Sequence, residues 1–211
     1  MDIILSQEDI EWIKTQYPKL SVDIFNKDIS GDISFIRNYN GYEISDSYSI
    51  RILLESKDGS ILPKVIATSD KIRDIVKKYN IELDDLHINR DGSFCLVIQE
   101  KEEELFENGF SIQEFFRKSL EPFLFQMSYY DREGKFPWGE YAHGKLGYIE
   151  LYAENGILLD KLLKFFEKKE IVSLVLKNRQ SYCLCGSGKK MRKCHPMIYK
   201  GVMKMKDSQW I

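Results

Sequence analysis

The chain has 211 residues, with 31 Lys and Arg residues against 33 Asp and Glu residues and a net charge of −2. Apolar residues make up 43% of the sequence and aromatic residues 13%, which is enough for a buried core and excludes disordered and fibrous classes of protein. The longest apolar runs, such as 174–176, are far below the roughly 20 residues that cross a bilayer. The beginning of the sequence has no basic segment followed by an apolar one. We therefore expect a cytoplasmic protein with reduced thiols and no membrane partner.

Sequence patterns predict a helix followed by four β-strands. Ser6 and Asp9 have the spacing of a capping box, which predicts a helix that begins after Ser6 and ends before Pro18. Turn signals at 30–32 and 40–41 separate β-rich runs. The predicted strands are 20–25, 33–39, 48–54 and 64–68. This order is that of an antiparallel meander after a helix.

Helical spacing of apolar residues returns further along the chain. It predicts a helix over 70–79 and a long helix beginning at Ser111, which Pro122 must kink or divide. A further helix is predicted over 157–168, and the apolar stripes of both longer helices are interpreted as core faces. The acidic run 101–107 is interpreted as solvated.

The charges divide unevenly along the chain. From residue 177 onward there are nine basic residues and one acidic residue, a net charge of +8, so the preceding 176 residues carry −10. Three of the four cysteines lie in this basic part. We therefore predict an acidic globular domain over 1–176 and a small basic, cysteine-containing module over 177–211.

The strongest chemical signal lies at 183–196. Its letters are Cys-Leu-Cys-Gly-Ser-Gly-Lys-Lys followed, after three residues, by Cys-His-Pro. Cys183, Cys185, Cys194 and His195 would fill the four positions of a tetrahedral structural zinc site, and metal binding would supply most of the folding free energy of so short a module. A P-loop is excluded, because its first Gly and its final Ser or Thr are missing. A redox pair of the first two cysteines leaves the other two ligands unexplained.

This segment resembles the SEC-C motif, which is named from the C-terminus of the bacterial secretion ATPase and is appended to many unrelated bacterial domains. The match covers about 14 residues. The resemblance implies a zinc ion held by the same four side chains and a surface that binds a protein or nucleic-acid partner. The basic charge of the module favours an acidic partner.

Cys95 is the one cysteine outside this module. An isolated intracellular cysteine is commonly a small apolar filler. However, Asp91-Gly92 predicts a tight turn just before the thiol, and His87 and Asn89 lie within eight residues upstream. Turns of this kind bring functional groups to an accessible surface. Both interpretations of Cys95, as a buried filler and as a reactive thiol, stay open at this point.

The order of elements resembles the ubiquitin-conjugating fold, an α+β fold with an N-terminal helix, a four-strand antiparallel meander, an active-site loop and C-terminal helices. The residues that carry the resemblance are His87, Asn89, Gly92, Cys95 and Leu96. Their form is similar to bacterial members, including those of cyclic-oligonucleotide anti-phage (CBASS-type) systems. The resemblance implies a transferase that accepts the C-terminal carboxyl of a ubiquitin-like protein, or of a nucleotidyltransferase, as a thioester on Cys95 and passes it to an amine. An activating enzyme would be a further partner.

Chemistry suggests a role for each candidate residue. A thiolate is intrinsically nucleophilic and suits exchange between thioesters. An amide donor from Asn89 would stabilise the charged tetrahedral intermediate, and His87 would mainly hold the loop. His143, in an aromatic-rich loop over 136–144, is either a base for Cys95 or a structural cap of its own loop.

Two alternatives come from other functional classes. In the first, the chain is a catalytically inactive adaptor, Cys95 is buried and unreactive, and the basic zinc module binds a protein or nucleic-acid partner. In the second, nucleic-acid binding is the main task, and the affinity would fall steeply with salt.

Overall fold

The computed structural model describes residues 2–56, 60–97, 101–102, 105–138, 142, 145–155, 162–163, 166–185 and 187–207. The chain divides into two compact units, Met1–Trp138 and Gly139–Ile211. The predicted boundary at residue 176, between a globular domain and a small zinc-binding module, is a different division of the chain and stays a prediction.

The N-terminal unit contains a four-stranded antiparallel sheet in the order β1-β2-β3-β4. The strands are β1 Leu20–Asp23, β2 Asp28–Tyr39, β3 Tyr42–Ser56 and β4 Pro63–Ala67. The predicted turn at Asn40 and Gly41 joins β2 to β3, and both residues have positive φ angles, 51° and 83°. A two-residue turn of this kind matches the right-handed twist of the strands it connects. The α+β class is therefore confirmed.

The predicted turn at 30–32 is wrong, because β2 runs through this segment. The turn between β1 and β2 is formed by residues 24–27, where the Asp23 carboxylate accepts the N–H of Asn26 at 2.9 Å. A Cβ atom on Gly31 would lie 2.2 Å from a backbone carbonyl oxygen next to β1. The glycine therefore allows a close approach of two chain segments, and it makes no turn.

The first two helices lie where they were predicted. α1 Gln7–Gln16 begins with the predicted capping box, in which the Ser6 hydroxyl accepts the N–H of Asp9 at 3.1 Å. The Asp9 carboxylate in turn accepts the N–H of Ser6 at 2.9 Å. α2 Lys71–Tyr79 matches the helix predicted over 70–79.

The predicted long helix consists of three consecutive segments, α3 Ile112–Phe115, a π-helical turn Phe116–Leu120, and α4 Glu121–Glu133. Pro122 lies at the start of α4, so the predicted division of the helix is confirmed. Proline has no N–H and crowds the carbonyl four residues earlier, and the wider π turn accommodates both effects. Within the described part of the chain, the buried hydroxyl of Ser119 in this turn has no hydrogen-bond partner.

The inner face of the sheet and the helices share one apolar core. Ile33, Ile50 and Val65 of the sheet are fully buried, together with Ile13 of α1 and Ile75 of α2. Burying a side chain of this size stabilises the fold by roughly 1.5–3 kcal/mol. The segment that contains Cys95 lies between α2 and α3 and is attached to this core through Phe94, which is 6% exposed.

The described helices of the C-terminal unit are α5 Lys145–Asn155, α6 Lys168–Val175, α7 Met191–Cys194 and α8 Pro196–Asp207. α5 and α8 pack closely, since a Cβ atom on Gly201 would lie 2.4 Å from the carbonyl oxygen of Ile149. The sequence patterns do not predict α5, α6 or α8. Most of the helix predicted over 157–168 lies outside the described residues. No helix within the described ranges is long and apolar enough to cross a membrane.

The cysteine-containing segment shares a core with these helices. Cys183 and Met191 are buried in one apolar cluster with Ile149 of α5, Leu174 of α6 and Val202 of α8. The module over 177–211 was expected to take most of its folding free energy from metal binding. Because it packs against α5 and α6, part of its stability comes from buried apolar surface and not from a metal ion.

Candidate metal centre and thiol groove

The four predicted metal ligands converge in the C-terminal unit. The ligand atoms of Cys183, Cys185, Cys194 and His195 all lie within 4.8 Å of one another. The Sγ atoms of Cys185 and Cys194 are 3.6 Å apart, and the Sγ of Cys183 lies 3.2 Å from the Nδ1 of His195. Three thiols and one imidazole at these distances could hold a metal ion.

Backbone hydrogen bonds bring the two halves of the metal-binding segment together. The N–H of Cys183 donates to the carbonyl of Lys189 at 2.7 Å, and the N–H of Met191 donates to the carbonyl of Ser181 at 3.0 Å. The short helix α7 begins at Met191, whose side chain is fully buried, and ends at Cys194. The buried methionine thus anchors the short helix that ends at Cys194, directly before His195.

The thiols of this group differ in their surroundings. Cys183 is buried, and burial raises the pKa of its thiol to about 11. Cys185 is exposed, and a hydrogen bond from the Ser187 side chain lowers the pKa of its thiol to about 6. A thiolate at one position disfavours a second negative charge beside it. A bound cation would favour the thiolate form of both.

The second candidate site lies in the N-terminal unit, where Cys95 is exposed. Its side chain lines an open groove with a volume of about 270 Å³. Asn89 lines the same groove, as do Lys64 from β4 and Glu102. His87 is not among the described residues that line it. The structure therefore brings Cys95 and Asn89 together in one groove, which the His87 side chain does not line.

Backbone hydrogen bonds hold the loop that presents the thiol. The N–H of Cys95 donates to the carbonyl of His87 at 2.7 Å, and the N–H of Gly92 donates to the carbonyl of Asn89 at 2.8 Å. The latter bond closes the predicted tight turn, in which Gly92 has a φ angle of +80°. The N–H of Phe94 donates to a carbonyl of β4 at 2.9 Å. The loop is thus attached to the edge of the sheet.

A chain of polar contacts runs from β4 to Asn89. The Nζ of Lys64 lies 2.9 Å from Oδ2 of Asp91. The Oδ1 of Asp91 accepts both the N–H and the hydroxyl of Ser93, at 3.1 and 2.6 Å. The Ser93 oxygen in turn accepts an N–H of the Asn89 amide at 3.0 Å. The hydroxyl hydrogen of Ser93 is donated to the carboxylate, so the Ser93 oxygen must accept a hydrogen bond from the amide nitrogen of Asn89. This bond fixes the orientation of the Asn89 side chain and engages one of its two N–H donors.

Of the two histidines in the predicted site, only His87 lies within the described residues. His87 ends the 3₁₀ turn Asp84–Leu86 with a φ angle of +55°, and its ring centroid lies 5.6 Å from that of Phe136. These contacts, with the carbonyl bond to Cys95, are those of a residue that holds the loop, and a role in chemistry stays a prediction. His143 lies outside the described residues, so its predicted role also stays a prediction.

Glu102 is a groove residue that the sequence analysis missed. The run 101–107 was expected to be solvated, but Glu102 is 7% exposed, and its carboxylate accepts the Ser60 hydroxyl at 2.9 Å and the N–H of Ile61 at 3.0 Å. One sequence signal points to its burial. The apolar Phe106 follows four residues later, on the same face of a helical turn, and it is also buried.

No family model, curated protein or solved structure matches the chain. Function is therefore inferred from the side chains themselves. The two groups that carry chemistry are the exposed thiol beside an oriented amide in the N-terminal unit and the cluster of three thiols and one imidazole in the C-terminal unit.

Proposed function

We propose that the chain is a ubiquitin-conjugating-like cysteine acyltransferase of bacterial type, with a zinc module that recruits a partner. The observation that carries the proposal is the exposed Cys95 thiol in an open groove beside an oriented Asn89 amide. The order of a helix, a four-strand antiparallel meander, the thiol loop and a long helix supports a ubiquitin-conjugating-like fold. A place in anti-phage defence belongs to the same proposal and follows from the resemblance to bacterial members of that fold.

In the first step, the Cys95 thiolate attacks the carbonyl carbon of a donor thioester, which carries the C-terminal carboxyl of a ubiquitin-like or partner protein. A C–S bond to Cys95 forms, the C–S bond to the donor breaks, and the donor sulfur leaves as a thiolate. One thioester replaces another, so neither an oxidant nor a reductant is required. An accessible thiol is what this step needs, because the donor arrives on a second protein.

In the second step, an amine attacks the thioester on Cys95. A C–N bond forms, the amine loses a proton to solvent, and Cys95 leaves as a thiolate. The tetrahedral intermediate carries negative charge on the former carbonyl oxygen. One N–H of Asn89 is held by Ser93, and the other is the donor assigned to this oxygen. A single donor of this kind is worth about 3 kcal/mol where it has been measured in another enzyme.

Exposure of the thiol also bears on the adaptor alternative. An inactive adaptor would have a buried and unreactive Cys95, whereas this thiol is exposed. Among the other cysteines, Cys183 is buried and has a ring nitrogen within 3.2 Å. Cys185 is exposed too, but its Sγ lies 3.6 Å from that of Cys194. Cys95 belongs to no group of potential metal ligands among the described residues. These contrasts favour a reactive role for Cys95 and a ligand role for the other cysteines.

We propose that the metal ion is zinc. Zn–S bonds of about 2.3 Å in a tetrahedral site separate two sulfur ligands by about 3.8 Å, and a sulfur from a nitrogen by about 3.5 Å. The corresponding separations here are 3.6 and 3.2 Å. Soft thiolate and imidazole ligands suit zinc. With four protein ligands and no position left for a substrate, the ion would be structural and would hold the two halves of the segment together.

The transferase proposal is tested by trapping the acyl intermediate. The chain is co-expressed with the products of its neighbouring genes and analysed by intact-mass spectrometry. We expect a thiol-sensitive adduct on the wild type, a thiol-resistant ester on Cys95→Ser, and no adduct on Cys95→Ala. Ser21→Ala, which changes an exposed side chain of β1, is the control and should keep the adduct. If no adduct depends on Cys95 in any of these samples, the proposed transferase is wrong.

A further inference from the structure

The C-terminal unit contains a long stretch without acidic residues. From 171 to 206 there are nine Lys and Arg residues and no Asp or Glu, so the rest of the chain carries −11. Charge separated to this degree attracts polyanions to one part of a protein that is slightly acidic as a whole. The charge of this stretch therefore favours a highly charged anionic partner.

An exposed aromatic ring lies within this basic stretch. Tyr182 is 65% exposed, although large aromatic side chains are usually well buried. The Nζ of Lys190 lies 4.5 Å from its ring centroid and donates a hydrogen bond to the carbonyl of Gln180 at 2.6 Å. The ammonium group is thereby fixed over one face of the ring, and the residue as a whole stays mostly exposed.

The basic and aromatic side chains lie next to the metal ligands along the backbone. Tyr182 directly precedes Cys183, and Lys193 directly precedes Cys194. The N–H of Cys183 donates to the carbonyl of Lys189, and Tyr182 pairs with Lys190 in an antiparallel bridge. Holding the ligands together therefore also holds the ring and the neighbouring cations together.

We propose that this surface, defined as Tyr182, Lys189, Lys190 and Lys193, binds single-stranded nucleic acid. A single strand offers one negative charge and one unpaired flat base per nucleotide, and the surface offers cations beside an open ring. The Tyr182 ring stacks on a base while the ammonium groups contact phosphates. Stacking accepts any base, so little sequence preference is expected. The inference rests on the metal-binding half of the proposed function and is independent of Cys95.

The test uses the full-length, zinc-loaded chain and a fluorescent oligothymidylate of about 20 nucleotides, with fluorescence anisotropy as the readout. The oligothymidylate should bind more tightly than a duplex of equal length, and its Kd should rise about 20-fold between about 50 and 200 mM salt. Tyr182→Ala should weaken binding about 10-fold, and Tyr182→Phe should not. Phe25→Ala removes an even more exposed ring from the N-terminal unit, 93% exposed, and should leave the Kd unchanged.

A charge series separates phosphate contacts from stacking. The double variant Lys189→Ala with Lys193→Ala should lower the slope of log Kd against log salt by about 1.4. Lys77→Ala, which removes an exposed lysine from α2, should not change it. The inference is overturned if Tyr182→Ala has no effect or if the duplex binds more tightly. Equal binding of polyglutamate would overturn it too and would assign the surface to an acidic protein.

Metal analysis of the same samples separates this inference from the proposed zinc site. A chain that holds zinc and does not bind the oligothymidylate refutes the nucleic-acid inference alone. A chain that binds the oligothymidylate through Tyr182 without holding a metal refutes the zinc proposal alone.

Discussion

The two segments that present cysteines are held in different ways. The Cys95 loop is held by hydrogen bonds of the chain itself, from the backbone and from the Lys64–Asp91 pair. The segment 183–195 also has backbone hydrogen bonds, but it brings three sulfur atoms and a ring nitrogen within 4.8 Å of one another, an arrangement whose ionised form needs a cation. Because the two sites are held differently, each should respond independently when metal is removed or a hydrogen bond is broken.

Loss of a metal ligand should have the largest effect, and that effect should be confined to the C-terminal unit. Cys183→Ser removes the buried sulfur ligand, so we expect the metal content to fall to near zero and the C-terminal unit to lose several kcal/mol of stability. Metal analysis and thermal unfolding measure both. The rate of Cys95 alkylation should stay at the wild-type value, and Cys95→Ser is the matched control that keeps the metal. A changed alkylation rate in Cys183→Ser would show that the sites are coupled.

Loss of the oriented amide should act on the other site alone. Asn89→Ala removes the assigned oxyanion donor, and we expect the Cys95 thioester to react with free lysine about 100-fold more slowly. Ser93→Ala frees the amide and removes the hydroxyl bond to Asp91 but leaves the amide donor in place, so it should slow the reaction less. Single-turnover decay of the thioester measures both. Asn26→Ala, an amide in the β1–β2 turn, is the control and should have no effect. Equal rates in Asn89→Ala and the wild type would remove Asn89 from the mechanism.

Helix packing in the C-terminal unit should contribute stability that is separate from the metal. Gly201→Ala brings a Cβ atom to 2.4 Å from the Ile149 carbonyl oxygen, and overpacking of this kind costs about 1–3 kcal/mol. Urea unfolding with and without a chelator should give the same loss in both states. Lys200→Ala, on the same helix, should change little. A loss seen only in the metal-loaded state would show that the core depends on the metal.

The smallest expected effect concerns pH and the N-terminal unit. Burial raises the pKa of Asp46, but hydrogen bonds from Lys71 and Ser128 outweigh burial and leave the pKa below its ordinary value of 3.8. A carboxyl group with a lowered pKa stabilises the fold above about pH 4, and this contribution is lost as the pH falls through the folded-state pKa. Asp46→Asn should therefore cost up to about 1 kcal/mol at neutral pH.

The same Asp46→Asn variant should cost less at about pH 2 than at neutral pH, because protonation of the carboxyl group removes the charge that the amide lacks. Urea unfolding followed in the N-terminal unit at the two pH values measures the difference. Asp74→Asn, which changes an exposed aspartate of α2, is the control. A cost that did not change with pH would mean that Asp46 acts through its shape and not through its charge.

Local signals predicted those parts of the fold whose partners are close in sequence. The capping box of Ser6 and Asp9 and the turn at Asn40 and Gly41 each depend on a few neighbouring residues. Gly31 was misread as a turn residue because the backbone that approaches it belongs to another segment. The packing of α5 against α8, at Gly201, likewise depends on residues that are far apart in the sequence.

The candidate sites show the same limit. The four metal ligands were found from their spacing, because all of them lie within one short segment. Lys64 was not identified as a site residue, because its ion-pair partner Asp91 lies far from it in the sequence. Glu102 was misread because an acidic run is usually solvated, and its burial depends on the hydroxyl and the backbone contributed by Ser60 and Ile61.

The attachment of the thiol loop to β4 has a consequence for how copies of the chain meet one another. β4 is an edge strand, and its outer side is covered where Phe94 donates to Val65 and Ser93 pairs with Ile66. An uncovered edge offers its N–H and C=O groups to strands of other molecules. The segment that presents the thiol therefore also shields the sheet from intermolecular strand pairing. A substitution that strains Gly92 would promote aggregation at this edge before it unfolded the domain.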